Sequence, residues 1–175
     1  MADQDLTALF LDFSRKQLLE QYWPRLKQCV EPLSDEQIWW RPNEQSNSVG
    51  NLILHLTGNI RQWILAGLAG EAFDRDRPAE FAVRGPLPRD ATVAQLESAV
   101  HRAADLIGRL DAAALTARHA IQGYEVSGLV AVFHVVEHFA GHTAQIVHIT
   151  KTVRNMDLSV YDVKGRKQLE ENGLP

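Results

Sequence analysis

Residues 127–150 read SGLVAVFHVVEHFAGHTAQIVHIT, and this stretch decides the fold. It reads as the core of a helix running from about Ser127 to Arg154. His134, His138 and His142 are spaced four residues apart, and each step of four turns a helix by only about 40°. The three imidazoles therefore share one shallow stripe. Gln145 falls within it, and His148 sits slightly to one side. Glu137 is the only Asp, Glu, Lys or Arg between Ser127 and Thr150, so the helix is apolar on more than one side and is expected to be buried on more than one side.

Residues 48–67, SVGNLILHLTGNIRQWILAG, form a second helix of the same character. Asn51, His55, Asn59 and Gln62 make a polar stripe at spacings of four, four and three, and Arg61 is the only charged residue between Ser48 and Gly70. A buried polar group without a partner costs about 1–3 kcal/mol. Several imidazoles in a dry stripe therefore need hydrogen bonds or a cation. Two histidines at i and i+4 can grip one ion, and a third from a facing helix completes a three-ligand site with open positions. The competing interpretation is a set of core histidines bonded to backbone, water, Asn59 and Gln145. His101 and His119 lie outside the pattern and read as surface residues. His148 reads as structural.

Four long helices and one long crossover predict an all-α four-helix bundle. The first helix spans about residues 4–30, with Pro24 kinking it or ending it early. In residues 31–47, SDEQIWW reads as a short helical turn in which Ser34 and Gln37 cap each other. Ser46 or Ser48 caps the helix over about 48–69. Residues 71–91 are polar and Pro-rich, as in a crossover. A third helix starts at Asp90 or Thr92 and ends near Leu110, with Val93, Leu96, Val100, Leu106 and Ile107 facing the core. Residues 111–126 are less regular, and QGYEV reads as a turn or a short extended piece. In the tail, 155–175, LSVYDV packs back on the body. The whole, 1–175, reads as one domain with its bundle at about 4–154. Trp39 and Trp40 read as packing residues and Cys29 as a buried filler. Asp162 is a weak candidate to reach the site.

The composition narrows the function. The chain has 175 residues, of which 45% are hydrophobic and 23% charged, and a formal net charge of -4. No basic run tracks a phosphate backbone, so nucleic acid is not an expected partner. No apolar stretch approaches the roughly 18 residues of a membrane span, and the N-terminus lacks the layout of a signal peptide. A lone cysteine suits a reducing compartment, and a cytoplasmic location is the default.

The pieces SVGNLILHLTGNIRQWI, DRPAEF and FHVVEHFAGHTAQIVHIT resemble the DinB/YfiT-like superfamily of metal-binding bundles, and more closely its DUF1572 branch. The resemblance implies an up-down-down-up bundle, usually homodimeric. It places His55 as the ligand from the second helix and His138 and His142 as the pair from the fourth, with Gln145 as the trailing glutamine. The residue reading adds Asn59 and Gln145 as hydrogen-bonding partners. His134 is left open: a ligand in place of His142, a residue lining the open side, a hydrogen-bonding partner of a ligand, or a catalytic proton carrier. The Arg-Gly that relatives often carry before the glutamine is Thr143-Ala144 here. The implied cofactor is a divalent ion, with zinc, nickel and iron as candidates. The implied activity is a metal-dependent S-transferase using a low-molecular-weight thiol and an electrophile, or a hydrolase. The alternatives are a non-catalytic metal-binding homodimer linked to stress, and a metal-free structural bundle.

Overall fold

The computed structural model describes residues 5–158, which are mostly helical, with one small two-stranded sheet. The first rod comprises α1 (Leu6–Lys16), a π-helical turn at Gln17–Tyr22 and α2 (Trp23–Val30). Pro24, expected to kink this rod or end it early, does not end it. It lies in the first turn of α2, directly after the wide turn, where its missing N–H costs little. The Ser34–Gln37 cap forms as expected: Gln37 N donates to Ser34 Oγ (3.2 Å) and Ser34 N to Gln37 Oε1 (3.1 Å). Trp39, in the 3₁₀ turn Gln37–Trp39, packs its ring against Gly50 and Gly85 and donates from Nε1 to Leu87 O.

The second rod is α3 (Val49–Ile60), extended by a π turn at Arg61–Ala66. Ser48 caps it in a reciprocal box with Asn51. Asn51 thus leaves the polar stripe for a structural task, and its Nδ2 also donates to Glu80 O and Val83 O. The crossover holds a short helix that the sequence reading missed, α4 (Arg77–Ala82). Asp76 accepts from Ala79 N at its start, and Pro78 sits in its first turn.

The third rod is α5 (Arg89–Ile107), which buries Leu96, Val100 and Ile107. Residues 111–127 form α6 (Ala112–Thr116) and an antiparallel hairpin, β1 (Arg118–Ile121) and β2 (Tyr124–Ser127). Its two-residue loop, Gln122–Gly123, has both φ positive, the conformation that matches the twist of paired strands. The fourth rod is α7 (Gly128–Arg154), capped by Ser127 and closed by Asn155 in the left-handed region.

α3 lies at the centre, packed on α4, α5 and α7. Leu52, Leu56, Ile60 and Phe139 are fully buried between these elements. Replacing Phe139 with alanine is expected to cost about 3–5 kcal/mol, read as a lower midpoint in urea unfolding with an unchanged slope. Cys29 is buried as a filler, and burial pushes its thiol up to about 11. Of the tail, Leu158 is buried and its carbonyl accepts from Gln28 Nε2 (2.9 Å). The rest of LSVYDV, with Asp162, lies outside the described residues. No helix among the described residues is long and apolar enough to cross a membrane.

Candidate metal centre

Two contacts along the seam between α3 and α7 fix how the rods run. His55 lies beside His138 and Asn59 beside His134, and Leu52 and Gln145 line one groove. Rising numbers on α3 meet falling numbers on α7, so the rods are antiparallel. His55 and Asn59 face the histidine stripe of α7 across this seam, while Asn51 and Gln62 bond to the crossover.

His55, His138 and His142 come together at its middle, each offering one nitrogen, with all three atoms within 4.8 Å of one another. His55 is 3% exposed, and the other two are half-buried. His55 Nδ1 stands 2.8 Å from Glu80 Oε2, and His142 Nδ1 stands 3.0 Å from Gln145 Oε1. Glu80 can only accept, so His55 Nδ1 carries the proton and its Nε2 lone pair is left for an ion, while Arg75 Nη2 lies 3.1 Å from the same Nδ1 without donating to it; Gln145 Oε1 can hold His142 in the same tautomer. His55 Nε2 is 2.9 Å from His138 Nε2. Two imidazole nitrogens held about 2.0–2.1 Å from one tetrahedral ion stand about 3.4 Å apart. The observed spacings bracket that value, and neutral imidazoles suit a divalent transition ion. The residues present therefore fit the group.

The protonation chemistry agrees. Burial, reinforced by the neighbouring rings of His142, His55 and His134 and by Arg75, holds His138 down at about 3. Burial also lowers His134 and His142. A base lowered in this way is neutral in the folded chain while the unfolded chain, with an ordinary value of 6.5, takes up a proton. The metal-free protein is thus expected to lose stability as pH falls from about 6.5 towards 3, with no contribution from this group above that window. Urea midpoints at pH 8, 6 and 5 check this, and a midpoint that rises on acidification would contradict it.

Sequence reasoning did not find Arg75 and Glu80, although Glu80 lies within the quoted stretch DRPAEF (residues 76–81) and Arg75 directly precedes it. Arg75 Nε donates to Glu80 Oε1 (2.6 Å), and Nη2 donates to Glu80 Oε2 (2.8 Å) and His55 O (3.3 Å). Nη1 donates to Gln62 Oε1 (2.8 Å). The two side chains are 4% and 11% exposed. Burial alone would raise the Glu80 carboxyl, but the hydrogen bonds from His55 and Arg75 outweigh it and hold the group below its usual range. Glu80 is therefore an anion that orients His55, the arrangement that raises the basicity of a ligand imidazole.

Gly58 makes this approach possible. A Cβ there would collide with Glu80 Oε1 and lie 2.8 Å from Arg75 Nε. Gly58→Ala is expected to displace the pair and weaken ion binding by about 10–100-fold, the usual cost of losing a partner of a ligand. Titration of the metal-free variant with zinc checks this, and wild-type affinity would overturn it.

The other residues singled out earlier occupy distinct places. His134 lies one turn beyond the triad, its ring 4.0 Å from that of Trp63 and its Nε2 bonded to Asn59 Nδ2 (3.1 Å). Asn59 thus partners His134 and none of the triad, and its buried Oδ1 has no hydrogen-bond partner among the described residues. Gln145 partners His142. His101 and His148 are exposed. His119 is half-buried on β1, with Nε2 unpartnered among the described residues, so the surface assignment does not hold for it.

Antiparallel rods whose facing histidines converge on one point define a helical protein with a candidate site for a metal ion. A family model described as "Protein of unknown function (DUF1572)" matches residues 5–166. The chain belongs to this DUF1572 family, which lies in the DinB/YfiT-like superfamily. A solved structure, described as that of the conserved protein of locus from Enterococcus faecalis, is similar in fold. It has a TM-score of 0.63 at 15% identity, covering 89% of this chain and 99% of that one. No curated protein matches the sequence.

Proposed function

We propose that this protein binds a divalent metal ion through the Nε2 atoms of His55, His138 and His142, in an up-down-down-up four-helix bundle. The observation that carries this reading is the convergence of three half-buried or buried imidazoles within 4.8 Å, two of them already tied by their far nitrogens to Glu80 and Gln145.

The half-exposure of His138 and His142 supports an ion that small molecules reach, and so favours an enzyme over a closed structural site. The bound ion would supply a Lewis acid that lowers the pKa of a thiol or a water. Glu80 holds His55 in one tautomer, and Gln145 does the same for His142. His134 is kept neutral by burial and is held through Nε2 against Asn59, so it stands as the candidate proton carrier beside the triad. The activity proposed is thiol S-transfer to an electrophile, or hydrolysis. A homodimer is supported by exposed apolar side chains on two rods: Leu6, Leu9 and Phe13 on α1, and Leu129, Val130 and Phe133 on α7. The buried thiol of Cys29 agrees with a cytoplasmic setting.

The test is a screen of the zinc-, nickel- or iron-loaded protein with low-molecular-weight thiols and an electrophile. Turnover that disappears on chelation is the expected result. Absence of turnover, with a large fall in unfolding temperature on chelation, would favour the non-catalytic alternative.

A further inference from the structure

The seam does not end at the triad. Leu52 lies three residues before His55 on α3, and Gln145 three residues after His142 on α7, so each sits one turn away on the face that carries the histidine. Both line a groove of about 660 Å³ that opens between α7 and the connection before α3. Gln45, Ser46 and Asn47 form its outer wall, and His148 stands beside Gln145. None of its nine lining residues is Asp, Glu, Lys or Arg. Among the described residues, the side chains of Gln45, Asn47 and His148 make no hydrogen bond. Gln145 belongs to both places, since its Oε1 bonds His142 while its side chain lines the groove.

We infer that this groove binds the uncharged, hydrogen-bonding body of a small molecule whose metal-binding head sits at the triad. This rests on the metal-binding reading above. Two amides and an imidazole without partners satisfy amide or hydroxyl groups. A charged tail would meet no counter-charge there. One helical turn, about 5.4 Å, separates head from body, so the connecting chain is about four methylenes long.

The experiment uses the full chain loaded with cobalt, with hydroxamates as probes and the visible cobalt spectrum as readout. Acetohydroxamate reaches only the ion. Adipic monohydroxamate ending in a primary amide reaches the groove, and the same chain ending in a carboxylate carries a charge into it. The amide probe is expected to bind at least about tenfold more tightly than either of the others. Ala144→Trp, at an exposed groove-lining position, is expected to remove that advantage while leaving cobalt content and acetohydroxamate affinity unchanged. Equal affinities for the three probes, a preference for the carboxylate, or an amide advantage that survives Ala144→Trp would each overturn the inference. A wild-type chain that takes up no cobalt would defeat the metal-binding reading and this inference with it. Cobalt bound with equal affinities defeats the groove alone.

Discussion

Replacing Glu80 with alanine is expected to damage the protein twice. The first effect is on stability. Arg75 is 4% exposed, and without Glu80 its guanidinium keeps Gln62 and one carbonyl but loses its counter-charge. Removing one partner of a buried pair costs about 3 kcal/mol even at the low end of the usual range. The second effect is on the ion. His55 loses the acceptor that fixes its tautomer, and a fall of about 10–100-fold in affinity follows. The double variant Arg75→Met/Glu80→Leu separates the two. An apolar pair in place of a buried ionic one is close to neutral for stability, so the urea midpoint should recover while zinc affinity stays low. Recovery of both would mean that Glu80 acts on the ion only through packing. Loss of neither in the single variant would remove the pair from the site.

His138→Ala is expected to abolish stoichiometric binding. Wild-type protein made without a histidine tag should carry about one ion per chain, the occupancy of a three-histidine site, and the variant close to none. The variant should still fold. His138 is half-buried, and the substitution removes a neutral ring rather than a core aliphatic side chain. Elemental analysis beside circular dichroism checks both points. Equal metal in the two proteins would exclude His138 as a ligand.

The triad was legible because helical spacing alone puts His134, His138 and His142 on one face, and because the near absence of charge marked both helices as buried. The partners of the ligands were legible only in part. Gln145 lies on the same helix as His142, three residues on, and spacing reveals it. Glu80 lies 25 residues beyond His55 in the sequence, in a polar stretch where an isolated carboxylate resembles any solvated one. The start of α4 did carry a signal, an Asp followed by a proline two residues later, but a six-residue helix has too little periodicity to stand out. The π turns at Gln17–Tyr22 and Arg61–Ala66 were equally hidden. The change from four to three in the spacing Asn51, His55, Asn59, Gln62 falls where the second of these begins. The wide turn carries both Gln62, which holds Arg75, and Trp63, which backs His134. QGYEV reads as a turn or a short extended piece and holds both the loop and most of β2, but strands of four residues each are too short to show an alternating pattern that would reveal the hairpin.

X-ray absorption at the zinc edge, on tag-free protein loaded with one equivalent of zinc, addresses the shared ion most directly. The expected spectrum contains three imidazole nitrogens at about 2.0–2.1 Å and one further light-atom ligand, with one imidazole shell lost in His55→Ala. A first shell without imidazole, or a spectrum identical in His55→Ala, would mean that α3 and α7 do not hold a common ion.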